Sequence, residues 1–182
     1  GMKMIYMFLA DGFEEIEAIT PLDILKRGKI PIKTVGLEKN TVKGSLGISI
    51  ETDITIEELK ETEIDGIVLP GGMPGTLNLS KNKKVTDTIK YCYEKNLLIA
   101  AICAAPSILG EMGILNGKSA CCYPGFEEKL TGAEVSSLSV CSDGNIITAK
   151  GPGVAAEFGF KILEYIKGKR AVKVVSSSMQ FI

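Results

Sequence analysis

MKMIYMFLA, near the start of the chain, is an almost unbroken apolar run, and DGIVLPGG and LLIAAI repeat the pattern further on. Short apolar runs bounded by turn residues read as strands covered on both faces. Between them the period changes. Phe13 to Arg27 places apolar residues at helical spacing and closes on Gly28, and Val85 to Glu94 also reads as helix. IPIKTVGL alternates as a second strand, and ISIE, from Ile48, as a third. Thr55 and Glu58 have capping-box spacing, which predicts a short helix around Glu57 to Glu61. SLSVCSDGNIIT holds two alternating runs joined at Asp143-Gly144, the pattern of a β-hairpin. GPGVAAEFGFKILEYIKG then reads as a helix opened by a glycine turn and closed by Gly168, and the tail from Ser176 carries little pattern. Strand, helix, strand with short connections predicts an α/β fold: an open, mostly parallel sheet with helices on both faces, plus one β-hairpin. A single domain over residues 2–182 is expected, with Gly1 read as an added residue ahead of Met2.

Composition narrows the function classes. The chain has 182 residues, 45% hydrophobic and 24% charged, the balance of an ordinary globular domain. Its 21 basic and 22 acidic residues leave a net charge of −1 with no basic stripe, which argues against nucleic acid and anionic membrane as partners. No apolar run reaches membrane-spanning length, and the start turns acidic without a signal-peptide cleavage site, so a cytoplasmic location is expected. Five cysteines, at 92, 103, 121, 122 and 141, include no C-x-x-C pair, and there is no histidine. That absence excludes a Cys-His or Ser-His pair within the chain and argues against a zinc site, so neither metal nor cofactor is expected.

Cys103 lies where LLIAAI ends. Pro106 suits the first turn of a helix, so a helix beginning at about Ala104 follows the strand with almost no loop. Cys103 then occupies a sharp strand-to-helix corner, the geometry of a nucleophile elbow, where a nearby helix N-terminus lowers a thiol's pKa and favours thiolate. Pro106 also pushes Ala105 away from helical angles, which predicts an irregular first turn. The alternative is a small buried hydrophobe, the ordinary role of a cysteine. Ligands of open α/β sheets bind beyond the strands' carboxyl ends. Three such ends offer groups: Asp11-Gly12, Pro70-Gly71-Gly72 and Cys103. The N–H groups of Gly72 and Ala104 form a candidate oxyanion hole, or else the glycines only make a tight turn.

Glu17 is the second candidate. On a helix it shares a face with Phe13, Pro21 and Ile24, so its carboxyl group lies among apolar neighbours. Desolvation would raise its pKa, and a neutral acid can donate to a sulfur anion or shuttle a proton. The competing reading is a rim acid turned to water. Pro21 removes the N–H that would bond the Glu17 carbonyl, which predicts a kink or break.

AAICAAP, GFEEIEAITPLDILKRG, LPGG and GPGVAAEFGFKILE occur together, spread from Met4 to about Lys169. The combination resembles the ThiJ/PfpI superfamily, most of all its DJ-one branch. The resemblance implies a flavodoxin-like three-layer sandwich, usually a homodimer. It also implies that Cys103 is an easily oxidised nucleophile, that Glu17 is the protonated glutamate touching it, and that Gly72 and Ala104 are the oxyanion donors. A human member of the branch has an active-site histidine where this chain has Tyr123, and an arginine where it has Leu46. The protease branch places a histidine where this chain has Ala104, so peptidase activity is not expected. Class I glutamine amidotransferases need a His-Glu pair that is absent here. Two activities remain: glyoxalase or deglycase chemistry on methylglyoxal-type carbonyls or their adducts, with Glu17 as general acid/base, or oxidative-stress sensing through a Cys103 sulfinic acid. The partners implied are a small carbonyl substrate or an oxidant.

Gly151 to Ala156 matches G-x-G-x-x-A, a dinucleotide fingerprint, but lies too near the C-terminus for the strand and acid that should follow; a tight packing turn is the preferred reading. Cys121 and Cys122, if in a strand, face opposite ways, and one of them is a minority candidate for a second redox thiol. Cys92 and Cys141 read as packing residues.

Overall fold

The computed structural model describes residues 2–181. The first half of the chain forms β1 (Met4–Leu9), α1 (Glu15–Arg27), β2 (Ile32–Gly36), β3 (Thr41–Lys43), β4 (Ser49–Glu51), β5 (Ile54–Thr55), β6 (Ile64–Leu69), α2 (Gly75–Lys81) and α3 (Lys83–Glu94). The second half adds β7 (Leu98–Ile102), α4 (Pro106–Glu111), β8 (Ser119–Ala120), β9 (Glu134–Val135), β10 (Val140–Asp143), β11 (Ile146–Ala149), α5 (Ala155–Lys167) and α6 (Lys169–Ser178). The expectation about Gly1 lies outside the described residues.

Seven strands make one sheet in the order β10-β11-β7-β6-β1-β2-β5, parallel except for the β10–β11 hairpin. The result is an α/β flavodoxin-like sandwich. The unbroken apolar runs follow from covering both faces. In β1, Ile5, Met7 and Leu9 join the cluster with α1, α5 and α6, while Tyr6 and Phe8 join the cluster with α2, α3 and α4. Each large side chain removed wholly from water, such as Phe8 or Phe158, contributes roughly 1.5–3 kcal/mol. α1 and α5 approach closely because Gly159 has no Cβ; one there would lie 3.0 Å from the Pro21 Cα and 2.9 Å from an Ile24 methyl. The chain reverses its direction of travel across the sheet between β1 and β6, so the carboxyl ends of these two strands flank a topological switch point.

The local expectations differ from the structure in instructive places. α1 runs through Pro21 as continuous helix. The third strand, β4, pairs with β3 in a separate hairpin and not in the main sheet. The Thr55–Glu58 capping box forms, but it heads a 3-10 turn, Ile56–Glu58, because the chain turns again at Leu59. The sequence pattern does not mark α2 and α6: α2 starts inside Met73-Pro74-Gly75, a stretch of strong turn formers, and only Val175 of α6 is buried. Among the described residues, no helix is long and apolar enough to cross a membrane.

Candidate functional site

β7 is fully buried and delivers Cys103 directly to a reversal of the chain. Cys103 takes φ = 68°, a left-handed conformation that costs a non-glycine residue about 1–2 kcal/mol. Three backbone bonds hold it there. Cys103 N–H donates to the Ala149 carbonyl (2.8 Å), Tyr123 N–H donates to the Cys103 carbonyl (2.8 Å), and Ala105 N–H donates to Ile102 (3.1 Å). α4 begins at Pro106, two residues later than expected, and Ala105 nevertheless adopts helical angles (φ −63°, ψ −31°). The elbow is therefore Cys103-Ala104-Ala105, followed by a short helix of six residues.

Glu17 comes from the first turn of α1. Glu14 caps that helix, its carboxylate accepting the Glu17 N–H at 2.9 Å. The Glu17 side chain is wholly buried. Its Oε1 accepts the Gly71 N–H at 3.0 Å, and the carboxyl group lies beside the Cys103 thiol, close enough for each to shift the other's pKa. Among the described residues, Oε2 is buried without a hydrogen-bond partner. The pair forms across β6, which separates β1 from β7.

The two glycines after β6 make room for this contact. A Cβ on Gly71 would lie 2.8 Å from both the Cys103 Cβ and Glu17 Oε1, and 2.6 Å from the Ile102 carbonyl. Gly72 has φ = 93°, and a Cβ there would meet the Glu14 amide at 2.5 Å. The N–H groups of Gly72 and Ala104 lie near the Cys103 sulfur and favour its negative charge. Gly71, whose N–H bonds Glu17, is marked in the sequence only as part of the strand-end turn Pro70-Gly71-Gly72.

Burial, ahead of the nearby Glu14 charge, raises Glu17 from 4.5 to about 7, against the lowering hydrogen bonds of Cys103 and Gly71. Beside an ionised Glu17 the Cys103 thiol is pushed up to about 12, first by burial, then by the neighbouring negative charge and the hydrogen bond to it. Ala104 and Gly72 pull the other way. This departs from the sequence expectation of a thiol lowered by a helix end: desolvation dominates. Two negative charges do not coexist in the pair: the first proton leaves about pH 7, and from there to about 12 one proton is shared between oxygen and sulfur. With that proton on Glu17 the repulsion vanishes and the acid becomes a donor facing the sulfur.

Tyr123 is half-exposed beside the elbow, and a Cβ on Gly151 would lie 3.4 Å from its ring. Leu46 stands on the β3–β4 turn, highly exposed, its N–H bonded to the buried Glu15 carboxylate at 2.9 Å. The Gly151–Ala156 motif forms a 3-10 turn into α5, and α6 follows with no strand, so it lacks the partner of a dinucleotide site. A cavity of about 370 Å³, lined by Asp11, Lys39, Asn78 and Lys81 among others, lies at the ends of β1 and β2 and includes neither Cys103 nor Glu17. All five cysteines are free and buried.

The DJ-1/PfpI family profile matches residues 3–165. Protein dj-1beta of Drosophila melanogaster is 36% identical over 180 residues, covering 97% of this chain and 96% of its own. Its crystal structure superposes with a TM-score of 0.94 at 35% identity over 100% of both chains. The Parkinson disease protein 7 homolog of Danio rerio is 34% identical, covering 97% of this chain and 96% of its own. An oxidised DJ-1 of Toxoplasma gondii has a TM-score of 0.93 at 30% identity over 98% of each chain.

Proposed function

The chain belongs to the DJ-1/PfpI family, and on that premise we propose that it is a stress-protection enzyme acting on methylglyoxal-type carbonyls or their adducts. The observation that carries the reading is the wholly buried Glu17 carboxyl group standing against a strained, elbow-borne Cys103, both within 2.8 Å of the place a Gly71 Cβ would take. The thiolate adds to the aldehyde carbon; a C–S bond forms, and the carbonyl π pair moves to oxygen, which takes the Glu17 proton. In this reading the N–H groups of Gly72 and Ala104, which lie near the sulfur, donate to that oxygen as its negative charge develops. The Glu17 carboxylate then removes the proton from the carbon bearing sulfur, giving an enediol as the neighbouring carbonyl oxygen takes a proton, and returns a proton to the neighbouring carbon while the hydroxyl on the sulfur-bearing carbon gives up its own. A thioester remains, and water releases a 2-hydroxy acid and the free thiol. One substrate carbon is oxidised and its neighbour reduced, so water is the only co-reactant. Methylglyoxal consumption by the wild type, Cys103→Ser and Glu17→Gln tests this: both variants lose turnover, and equal rates overturn the proposal.

A second reading is a sensor in which Cys103 is oxidised to a sulfinic acid. The donors around the sulfur, a neutral Glu17 and two backbone N–H groups, suit the added oxygens, and the related Toxoplasma protein is described as oxidised. Mass spectrometry after mild peroxide distinguishes it, with two oxygens gained at Cys103 before any other cysteine. The same proposal includes a cytoplasmic homodimer. The exposed apolar residues Ile16, Ile19, Leu46 and Ile48 favour such an interface, and sedimentation equilibrium reads the mass.

A further inference from the structure

Two buried thiols outside the Cys103 site stand on facing segments. Residues 119–123 run beside β10 in the opposite direction. Ser119 N–H donates to the Asp143 carboxylate (2.8 Å), and the Cys121 thiol donates to the Ser139 carbonyl (3.7 Å). Cys121 therefore packs against β10 beside Cys141, each at most 4% exposed and both free, and a disulfide between them requires Cα atoms about 4.4–6.8 Å apart.

The same segments frame the elbow. β11 supplies the carbonyl that accepts Cys103 N–H, and Tyr123 supplies the N–H that bonds the Cys103 carbonyl. Cys121 N–H also donates to the Thr148 hydroxyl (3.0 Å), and Thr148 is the β11 partner of Cys141. A bond between the two sulfurs thus closes a ring that passes through the Cys103 peptide.

We propose that Cys121 and Cys141 are a second redox site, closing to a reversible disulfide under hydrogen peroxide and stiffening the frame around Cys103. One thiol attacks the peroxide, whose O–O bond breaks to give a sulfenic acid and water. The other thiol attacks the sulfenic sulfur, the S–S bond forms, and a second water leaves. A small dithiol reverses the bond. Burial raises both thiols above their ordinary range, so the pair answers sustained rather than passing oxidant.

The test uses the full chain with Cys103→Ser, which removes the proposed nucleophile, so failure of the proposed activity leaves this result unaffected. After peroxide, unfolding in N-ethylmaleimide and tryptic digestion, the peptides 119–129 and 130–150 are recovered linked, two hydrogens lighter, and separable by dithiothreitol. The link persists with Cys122→Ser and is lost with Cys121→Ser or Cys141→Ser, and the oxidised chain melts several degrees higher. Should Cys103→Ser fold poorly, the same digest of the wild type gives the answer. Recovery of Cys121 and Cys141 fully maleimide-labelled after peroxide, or a link that needs Cys122, overturns the proposal.

Discussion

Replacing Glu17 by Gln or by Leu separates a donor from a charge, because the two predict opposite signs for the thiol. If the pair's single proton resides on Glu17, its O–H donates to the sulfur anion. A hydrogen bond to a charged group contributes about 1.5–3 kcal/mol, which is about 1–2 pKa units at the sulfur. Glu17→Leu removes it, so the thiolate midpoint rises by about 1–2 units and alkylation at neutral pH slows about 10- to 100-fold. Glu17→Gln is gentler. Gly71 N–H holds Oε1 at 3.0 Å, so the amide oxygen takes that place and the NH₂ turns toward the sulfur. A neutral donor replaces a stronger one, and the midpoint rises by less than about one unit. Turnover is nevertheless lost in both, since neither amide nor alkyl group exchanges a proton. The assay is the ultraviolet thiolate absorbance against pH, taken as the difference from Cys103→Ser, beside iodoacetamide rates on the same samples. If Glu17 instead rests as an anion, removing its charge relieves the repulsion that adds to burial in pushing the thiol up to about 12, and both variants titrate below the wild type. A downward shift in both would falsify the neutral-acid reading.

The remaining predictions concern the supports of the site. Glu17 is raised from 4.5 to about 7, so the stability contributed by its neutral form is complete below about 4.5 and is lost as pH rises through 7. In a Cys103→Ala background, Glu17→Gln therefore gains up to about 3 kcal/mol relative to Glu17 between those limits, and parallel Tm–pH curves for the two chains would refute it. Gly71→Ala drives a methyl into Glu17 Oε1, Cys103 and the Ile102 carbonyl; a loss of about 1–3 kcal/mol in denaturant melts and slowed Cys103 alkylation are expected, with wild-type behaviour in both as the contrary result. Glu15→Ala leaves the Leu46 and Ile48 N–H groups without the carboxylate they share, so hydrogen exchange at these two amides rises by about 10-fold or more, while unchanged protection would show that the turn stands without it.

What the residue pattern carries is local. Unbroken apolar runs identify β1, β6 and β7 because both faces of each are covered, and Asp143-Gly144 identifies the hairpin because that turn demands those residues. The short pieces β5, β8 and β9, two residues each, leave no period to detect. The site divides in the same way. Pro106 and the small residues around it mark the corner at Cys103, and the helical face of Phe13, Pro21 and Ile24 marks Glu17 as an acid among apolar groups. Neither pattern says that the two meet, since that depends on β6 lying between β1 and β7. The sign of the thiol shift escaped for the same reason. A helix end seen along the chain suggests a lowered pKa, whereas six residues of α4 and a wholly buried neighbour set a balance in which desolvation is the larger cause. A carboxyl group held neutral near pH 7 is the natural resolution of that balance. It leaves the sulfur as the one place in the pair where negative charge forms without a like charge beside it.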